Sequence, residues 1–504
     1  MTSPGNQQQD YPIESLLSAR LFLSPQKVDD RIYFISNMSG KNSLYVMDTK
    51  GSVPLPLLPP HIALPNPELV GGDPFAVFPQ LGKILVTVDN DGDENYLPME
   101  IPIDGGVLTH CFDKKFLKNR TYMGCDVEKN TALLGVDSRE EQMVETYLAD
   151  INNGQLTFID KSPFGRGVAV KNDELNKFIL LEGYSNGDTV LFLHKEGVST
   201  LIYGTPLPER KEGYTPPLPG FGGGEFVEGD TAFIIKTALF EDTYSIGYIS
   251  LDRPKEVLPV IIEGLEHTGK GEFVGFSHLR KDRYVLRFNI DGCSWLYEAK
   301  YDDKKMKVKR TIVGRGELSQ GVLEAFRYEK ETKTFALSFS TATSPSQLYL
   351  VRKNDVKKLT DERVMGIDES LLSKGEDISY DSHDGLRISA RLYLPSESLG
   401  YQGKLPLVYY IHGGPQSQEK PDFTWFSMPL IQFLTLNGFA VFVPNVRGST
   451  GYGQSYSKRV DKDWGGQDRL DHVHAMTKVL PEHPRVDTSR AGVMGRSYGG
   501  YMTL

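Results

Sequence analysis

A serine near the end of the chain has the surroundings of a catalytic nucleophile. Ser497 lies in the segment 495–500, GRSYGG, which fits G-x-S-x-G, a sharp strand-to-helix turn that exposes the serine hydroxyl above a sheet. The apolar residues 492–494 predict the strand. Glycines at 495 and 499 are expected where side chains would collide, and Gly500 is expected to let the helix pack closely. Because the chain holds 50 glycines, the motif alone is a weak signal.

A second glycine-rich motif lies about 80 residues earlier, at 412–415, HGGP. It follows the apolar run 405–411, which is typical of a strand buried on both faces of a parallel sheet. A loop in this position can aim a backbone N–H at a developing oxyanion, opposite the N–H of the residue after the nucleophile, here Tyr498. A tight turn alone would explain these glycines. It would not explain why they precede the strand-to-helix turn around Ser497, which is called a nucleophile elbow.

The elements that would position these motifs begin near residue 376. Segments 376–380 and 387–394 predict a hairpin, and strands and helices then alternate in the order of an α/β hydrolase. We therefore predict that residues 371–504 are the N-terminal part of an α/β-hydrolase (peptidase) domain. The predicted elements are a strand at 405–411, an amphipathic helix at 429–436, a strand at 439–443, a helix at 468–480 with Leu470, Val473, Thr477 and Leu480 on one face, and the elbow strand.

Residues 25–370 show a repeat of strands and turns, preceded by a short N-terminal extension, 1–24. Apolar runs start 46 to 54 residues apart, and most are followed by a second strand. About four strands per repeat of some 50 residues is typical of a β-propeller blade; the seven repeats predict seven blades, and the pattern allows five to eight. A β-sandwich array or two unrelated β domains is the alternative. The runs are 32–35, 84–86, 132–134, 178–181, 232–235, 284–286 and 335–337.

Composition limits the classes of function. The net charge of -10 argues against nucleic acid or an anionic membrane as a partner, and no apolar run is long enough for a membrane helix. Three widely spaced cysteines predict a reducing, cytoplasmic location. No cofactor or metal is expected: the acidic segment 89–94 lacks the calcium-loop spacing and predicts a hairpin turn, and the glycine-rich 220–224 predicts a connection between blades.

Four motifs together resemble the prolyl oligopeptidase family of serine peptidases, and within it the acylaminoacyl-peptidase and dipeptidyl-peptidase-5-like branch. The resemblance covers about 377–504 and implies that Ser497 is the nucleophile, with the N–H groups of Gly414 and Tyr498 as oxyanion donors. It also implies a propeller that caps the site and admits only short or unstructured peptides. The family commonly has glycine in place of Arg496. The motifs are HGGP at 412–415, NVRGSTGYG at 445–453, DWG at 463–465 with Asp468 and Asp471, and GRSYGGYM at 495–502.

After Ser497, the sequence contains no candidate for the acid or the base of a catalytic triad. In this fold the triad order is Ser, Asp or Glu, then His, and no titratable residue follows Ser497. We expect a fragment of a serine-type peptidase that lacks these two groups, is inactive by itself, and when complete cleaves short peptides through an acyl-enzyme. Asp468, Asp471, His472, His474 and His483 precede the elbow strand and are not expected to replace the base.

Two other functions stay open at this point. An esterase could use the same hydrolase scaffold, since acyl transfer does not distinguish ester from amide. A non-catalytic propeller scaffold would need no triad. The sequence also leaves open whether the protein forms a homo-oligomer, and whether Arg447 contacts substrate or forms a buried ion pair.

Overall fold

The computed structural model describes residues 11–112, 116–423 and 427–504. In its larger part, consecutive strands form antiparallel sets of four, in sequence order within each set. The first four sets comprise β1 Phe22–Val28, β2 Arg31–Ser36, β3 Ser43–Asp48 and β4 Leu55–Pro56; β5 Phe75–Phe78, β6 Lys83–Val88, β7 Leu97–Pro102 and β8 Thr109–His110; β9 Arg120–Asp126, β10 Thr131–Asp137, β11 Val144–Asp150 and β12 Gln155–Ser162; and β13 Arg166–Lys171, β14 Lys177–Ser185, β15 Asp188–Lys195 and β16 Val198–Tyr203.

Three further sets follow, and two of them are joined. Strands β20 and β24 pair in parallel through Ile261–Glu263 and Lys305–Lys307, which makes a continuous eight-stranded sheet. These sets comprise β17 Gly224–Val227, β18 Ala232–Thr237, β19 Ser245–Ser250 and β20 Val257–Glu263; β21 Gly271–Arg280, β22 Arg283–Ile290, β23 Cys293–Asp302 and β24 Lys305–Val313; and β25 Gly321–Glu329, β26 Thr334–Thr341, β27 Gln347–Arg352 and β28 Asp355–Lys358.

The apolar runs found in the sequence are the second strands of these sets, and most of their partners are the third strands. In β2, for example, Ile32, Phe34 and Ile35 have no exposed surface. The first and fourth strands carry more polar, exposed residues, such as the four residues of β28, and the hydrophobic pattern did not reveal them. The segment 89–94 connects the antiparallel strands β6 and β7, which confirms the predicted hairpin turn. The segment 220–224 leads from one set to the next and is anchored by a hydrogen bond from Gly220 N–H to Gly187 O of 2.9 Å.

The first and last sets pack against each other. Phe22 N–H donates to Ser346 Oγ at 2.8 Å, and Ser338 Oγ donates to Phe22 O at 2.5 Å. Arg20 forms an ion pair of 2.7 Å with Glu362. Polar contacts between distant parts of the chain therefore bring the first and last sheets of the series together.

The second part contains a smaller sheet that carries the elbow. Its strand order is β29-β31-β33-β32-β34, with β30 paired to β31. The pairs β33–β32 and β32–β34 are parallel, whereas β31 runs antiparallel to β33. The strands are β29 Glu376–Asp377, β30 Tyr380–Asp381, β31 Arg387–Tyr393, β32 Leu405–Ile411, β33 Ala440–Asn445 and β34 Val486–Gly495.

The α-helices are short and pack mainly against this smaller sheet. Near the N-terminus, Leu16 of the first helix packs with Met428 and Ile431 of the third in one apolar cluster. The segment predicted as an N-terminal extension thus contributes to the core of the second part. None of the helices in the described part of the chain has the length and apolar character to cross a bilayer. The helices are α1 Ile13–Leu17, α2 Pro67–Val70, α3 Met428–Leu436, α4 Gln454–Lys458, α5 Gln467–His474 and α6 Tyr498–Thr503.

The helix predicted for 468–480 differs from the structure in its buried face. α5 ends at His474 and continues as one π-helical and one 3-10 turn. Leu480 is buried as expected and Leu470 is half-buried, but Val473 and Thr477 are exposed. The buried face instead presents polar residues, each of which makes a hydrogen bond that apolar periodicity cannot reveal. These residues are Asp468, Asp471 and His472.

Candidate active site

Ser497 lies at the turn between β34 and α6, as the motif predicted. β34 ends at Gly495, and α6 begins at Tyr498. Ser497 has φ +54° and ψ -120°, and its side chain is exposed. A non-glycine residue in such a conformation costs about 1–3 kcal/mol and persists only where the surroundings impose it. The turn therefore holds the hydroxyl in a strained, accessible position, which is the geometry that a nucleophile elbow requires.

Two of the motif's glycines are required by close backbone contacts. A Cβ on Gly495 would lie 2.4 Å from the carbonyl group of Gly499, and a Cβ on Gly499 would lie 2.0 Å from Ile411 O. Any side chain at these positions would push α6 away from β32. Gly500 differs, because a Cβ there would meet only Gly495 O, at 3.6 Å, an ordinary contact. The expectation that Gly500 is needed for close packing is therefore wrong.

The second glycine motif meets the elbow directly. A Cβ on Gly413 would lie 3.2 Å from Arg496 O and 3.3 Å from Ser497 Cβ. Gly414 has φ +121°, a conformation that favours glycine. Within the described residues, the N–H groups of Gly414 and Tyr498 donate to no protein acceptor. The structure brings the two motifs together, while the oxyanion roles of Gly414 and Tyr498 stay predictions.

His412 anchors the loop that carries Gly413. Its ring Nε2 is 3.0 Å from Ser449 Oγ, and its Nδ1 is 2.6 Å from Gly413 O. Burial lowers the pKa of His412, so the imidazole is neutral near pH 7. Ser449 belongs to the segment 445–453 that the sequence motif included without a role. Its contact with His412 now explains how that segment supports the loop.

The side chain of Tyr498 ties α6 to the segment 463–468. Its hydroxyl donates to Asp468 and accepts the N–H of Gly465 at 3.1 Å. The Trp464 ring packs edge-on against the Tyr498 ring at 5.2 Å between centroids. Burial raises the pKa of Asp468, and burial together with Asp468 raises the pKa of Tyr498. These contacts give the DWG motif a positioning role that spacing alone did not show.

Arg447 forms a buried ion-pair network rather than an open contact surface. Its guanidinium donates to both oxygens of Asp471 at 2.7 and 2.8 Å, and to both oxygens of Asp384 at 2.9 Å. The Arg447 and Asp471 side chains are 4% and 0% exposed. The hydrogen bond from Arg447 lowers the pKa of Asp384 to about 2. Of the two predicted alternatives, the structure supports the ion pair.

The same carboxylates form the one group in the described chain that could offer three metal ligands. His383, Asp384 and Asp471 place one ligand atom each within 4.8 Å of the others. However, the Arg447 guanidinium already donates hydrogen bonds to both carboxylates, and Ser382 Oγ donates to Asp471 at 2.5 Å. The guanidinium bound to these carboxylates would repel a divalent cation. The three residues therefore do not form a suitable metal site.

The titratable residues before the elbow strand engage other partners. His472 Nδ1 lies 3.0 Å from Tyr409 OH, and His483 lies 3.2 Å from Glu376. Burial lowers the pKa of His472 to about 3. Among residues 11–112, 116–423 and 427–504, no imidazole or carboxylate hydrogen-bonds to Ser497 Oγ. The base that a serine nucleophile needs is therefore not at hydrogen-bond distance in the described chain.

Comparison with known proteins gives matches to one family. Residues 424–504 match the prolyl oligopeptidase family. The chain is 33% identical over 187 residues to the uncharacterized peptidase YuxL of Bacillus subtilis, a match covering 37% of this chain and 28% of that protein. It is 39% identical over 139 residues to a probable dipeptidyl-peptidase 5 of Aspergillus terreus, covering 27% of this chain and 19% of that protein. The chain thus spans less than a third of the length of either relative.

A solved structure extends the likeness to the whole chain. The Pyrococcus horikoshii acylaminoacyl peptidase superimposes with a TM-score of 0.65 over 98% of this chain and 76% of that one. At 15% identity this likeness concerns the fold alone. The sheets of the first part and the smaller mixed sheet together therefore have the propeller-plus-hydrolase arrangement of such enzymes.

Proposed function

Because the chain belongs to the prolyl oligopeptidase family through residues 424–504, we propose that it is part of a serine-type peptidase that cleaves short peptides. One observation carries the proposal: an exposed, strained serine at a strand-to-helix turn meets a glycine loop, and the N–H of Gly414 in that loop has no acceptor among the described residues. We propose that residues 25–370 form a propeller of seven blades, one for each set of four strands, and that residues 371–504 form the hydrolase part. The propeller would limit access to short or unstructured peptides.

The reaction would proceed through an acyl-enzyme. Ser497 Oγ would attack the carbonyl carbon of the scissile bond, and the N–H groups of Gly414 and Tyr498 would stabilise the oxyanion. A general base would take the Oγ proton and return it to the leaving amine, and water would then release the acyl group by the same steps. The neutral, buried His412 would take no part in proton transfer, because both of its ring nitrogens already face protein oxygens.

The nucleophile can be tested with a fluorophosphonate probe on the full-length protein. We expect labelling of the parent protein and loss of labelling in Ser497→Ala. Ser489→Ala removes a hydroxyl from the same strand that hydrogen-bonds to Asp487 at 2.6 Å, and it should label like the parent. Equal labelling of parent and Ser497→Ala would contradict the assignment.

Peptidase and esterase activity can be separated by substrate. Turnover of aminoacyl-anilides by the full-length protein supports the peptidase, whereas turnover of p-nitrophenyl esters alone supports the esterase. We also propose a cytoplasmic location, supported by the cysteines, since Cys111, Cys125 and Cys293 are all free thiols.

A further inference from the structure

A cavity of about 370 Å³ opens among the strands of the propeller. Its walls come from β1, from the segment before β5, and from β22 and β25. Several prolines and Phe326 make part of the wall apolar. The charged and aromatic lining residues are Glu68, Asp73, Arg287, Glu324, Phe326 and Arg327.

Arg287 is the unpaired cation of this cavity. Its Nε is shielded from solvent and has no hydrogen-bond acceptor among the described residues. Its guanidinium lies 5.9 Å from the centre of the Phe326 ring, and the described residues offer it no ion pair. Burial lowers the pKa of Arg287. Removing a charge from water without a partner is costly, and folded proteins normally pair such groups.

Arg327, Asp73 and Glu324 already have partners in this cavity, and burial raises the pKa of Glu68. Arg327 is paired with Asp73, which also accepts the N–H of Cys125 at 2.7 Å. Glu324 accepts a hydrogen bond of 2.5 Å from Ser340 Oγ, and burial raises its pKa well above the usual range. Within the described residues, neither the Asp73 nor the Glu324 carboxyl group forms an ion pair with Arg287.

A second cation lies close to Arg287. Lys236 Nζ donates to Val274 O at 3.1 Å and lies 4.0 Å from the centre of the Tyr244 ring. Burial lowers the pKa of Lys236, the charge of Glu272 opposes this shift, and the charge of Arg287 adds to it. Arg287 and Lys236 are thus neighbouring cations, and an anion bound at Arg287 would reduce the repulsion between them.

The cavity is linked to the loop of the candidate active site. Ser340 Oγ, which donates to Glu324, also accepts the N–H of Phe423 at 3.3 Å. Phe423 lies in the segment that follows the His412–Gly414 motif. Gly292, just after β22, faces the same segment, since a Cβ there would lie 3.2 Å from Pro421. The walls that carry Arg287 and Glu324 therefore face the loop that approaches Ser497.

We propose that Arg287 binds a carboxylate of the peptide substrate, so that the propeller selects peptides by an acidic group beyond the bond that is cut. The proposal rests on the proposed function, because it takes the ligand to be a peptide. A planar guanidinium can hold a carboxylate through two parallel hydrogen bonds. The carboxylate is either the C-terminal α-carboxylate or an acidic side chain, and both have the same chemistry.

Binding can be measured without catalysis, by calorimetry on the full-length protein with Ser497→Ala. The probes are tetra-alanine with a free C-terminus, its C-terminal amide, and an amidated tetrapeptide with one internal glutamate. We expect the free acid or the glutamate peptide to bind at least about tenfold more tightly than the tetra-alanine amide, which has no carboxylate, and the probe that does so identifies the source of the carboxylate. Equal binding of all three would overturn the proposal.

Substitutions on one strand provide the control. Arg287→Met should abolish the preference for the charged probes, Arg287→Lys should retain part of it, and Arg283→Met should leave it intact because Arg283 lies on β22 outside the cavity lining. Since Arg287 is unpaired, Arg287→Met should keep or raise Tm, and the charged probe should no longer raise it. An unchanged preference in Arg287→Met would refute the role of Arg287. If the full-length protein with Ser497 intact were not labelled by the fluorophosphonate while the preference persisted, the peptidase function would be refuted and this binding site would stand.

Discussion

Substituting alanine for Gly499 tests whether the close crossing of β32 and α6 is what presents Ser497. The added Cβ would lie 2.0 Å from Ile411 O, whereas ordinary contact begins at 3.4 Å, so the two elements must separate by about 1.4 Å. Such overpacking costs about 1–3 kcal/mol, and the higher helix propensity of alanine returns about 1 kcal/mol. We therefore expect a net loss of up to about 2 kcal/mol in the free energy of unfolding.

The same separation of β32 and α6 should reduce the rate of labelling of Ser497 more strongly than it reduces the stability of the fold. A displacement of about 1 Å at a reacting group can cost about 10²-fold in rate, so the rate of fluorophosphonate labelling of the full-length Gly499→Ala variant should fall by that order. Gly500→Ala is the matched control: its Cβ has an ordinary contact at 3.6 Å, and it should gain stability and label normally. If the two variants behaved alike in urea denaturation and in labelling, the steric reasoning would be refuted.

Two further predictions concern buried polar groups. Arg447→Met leaves Asp471 as a buried charge without its partner, and we expect a loss of about 3–5 kcal/mol in the free energy of unfolding, measured by urea denaturation. For His472, the folded-state pKa of about 3 lies below the unfolded value near 6.5. Protonation therefore favours the unfolded chain, stability is lost as the pH falls below about 6.5, and the loss between pH 7 and pH 5 from this group is about 2 kcal/mol.

Both predictions have controls on the surface of the same chain. Arg490→Met breaks an ion pair whose arginine is 58% exposed, and it should change stability by less than about 1 kcal/mol. His472→Gln should reduce the difference in unfolding free energy between pH 7 and pH 5, whereas the exposed His110 replaced by glutamine should leave it unchanged. A normal stability of Arg447→Met, or an unaltered pH dependence in His472→Gln, would contradict these accounts.

The local motifs were readable from the sequence because each is set by neighbouring residues. Glycines two residues before and after a serine at a strand end predict a close crossing of strand and helix. Gly495 and Gly499 have this spacing, and the structure places Ser497 at such a turn. The run 405–411 is β32 with the predicted bounds. The inner strands of the propeller were equally visible, since burial on both faces demands continuous apolar residues.

Only the tertiary structure decided which polar residues are buried and what they contact. Nothing in the spacing of Asp468, Asp471 and His472 distinguishes a buried face of α5 from an exposed one, and apolar periodicity pointed to Val473 and Thr477 instead. The partners of these residues come from distant segments, as Arg447 does for Asp471. Ion pairing and hydrogen bonding outweigh hydropathy at such sites, and they depend on contacts that no local pattern records. The same holds for Arg287, whose lack of a partner is a property of the folded chain.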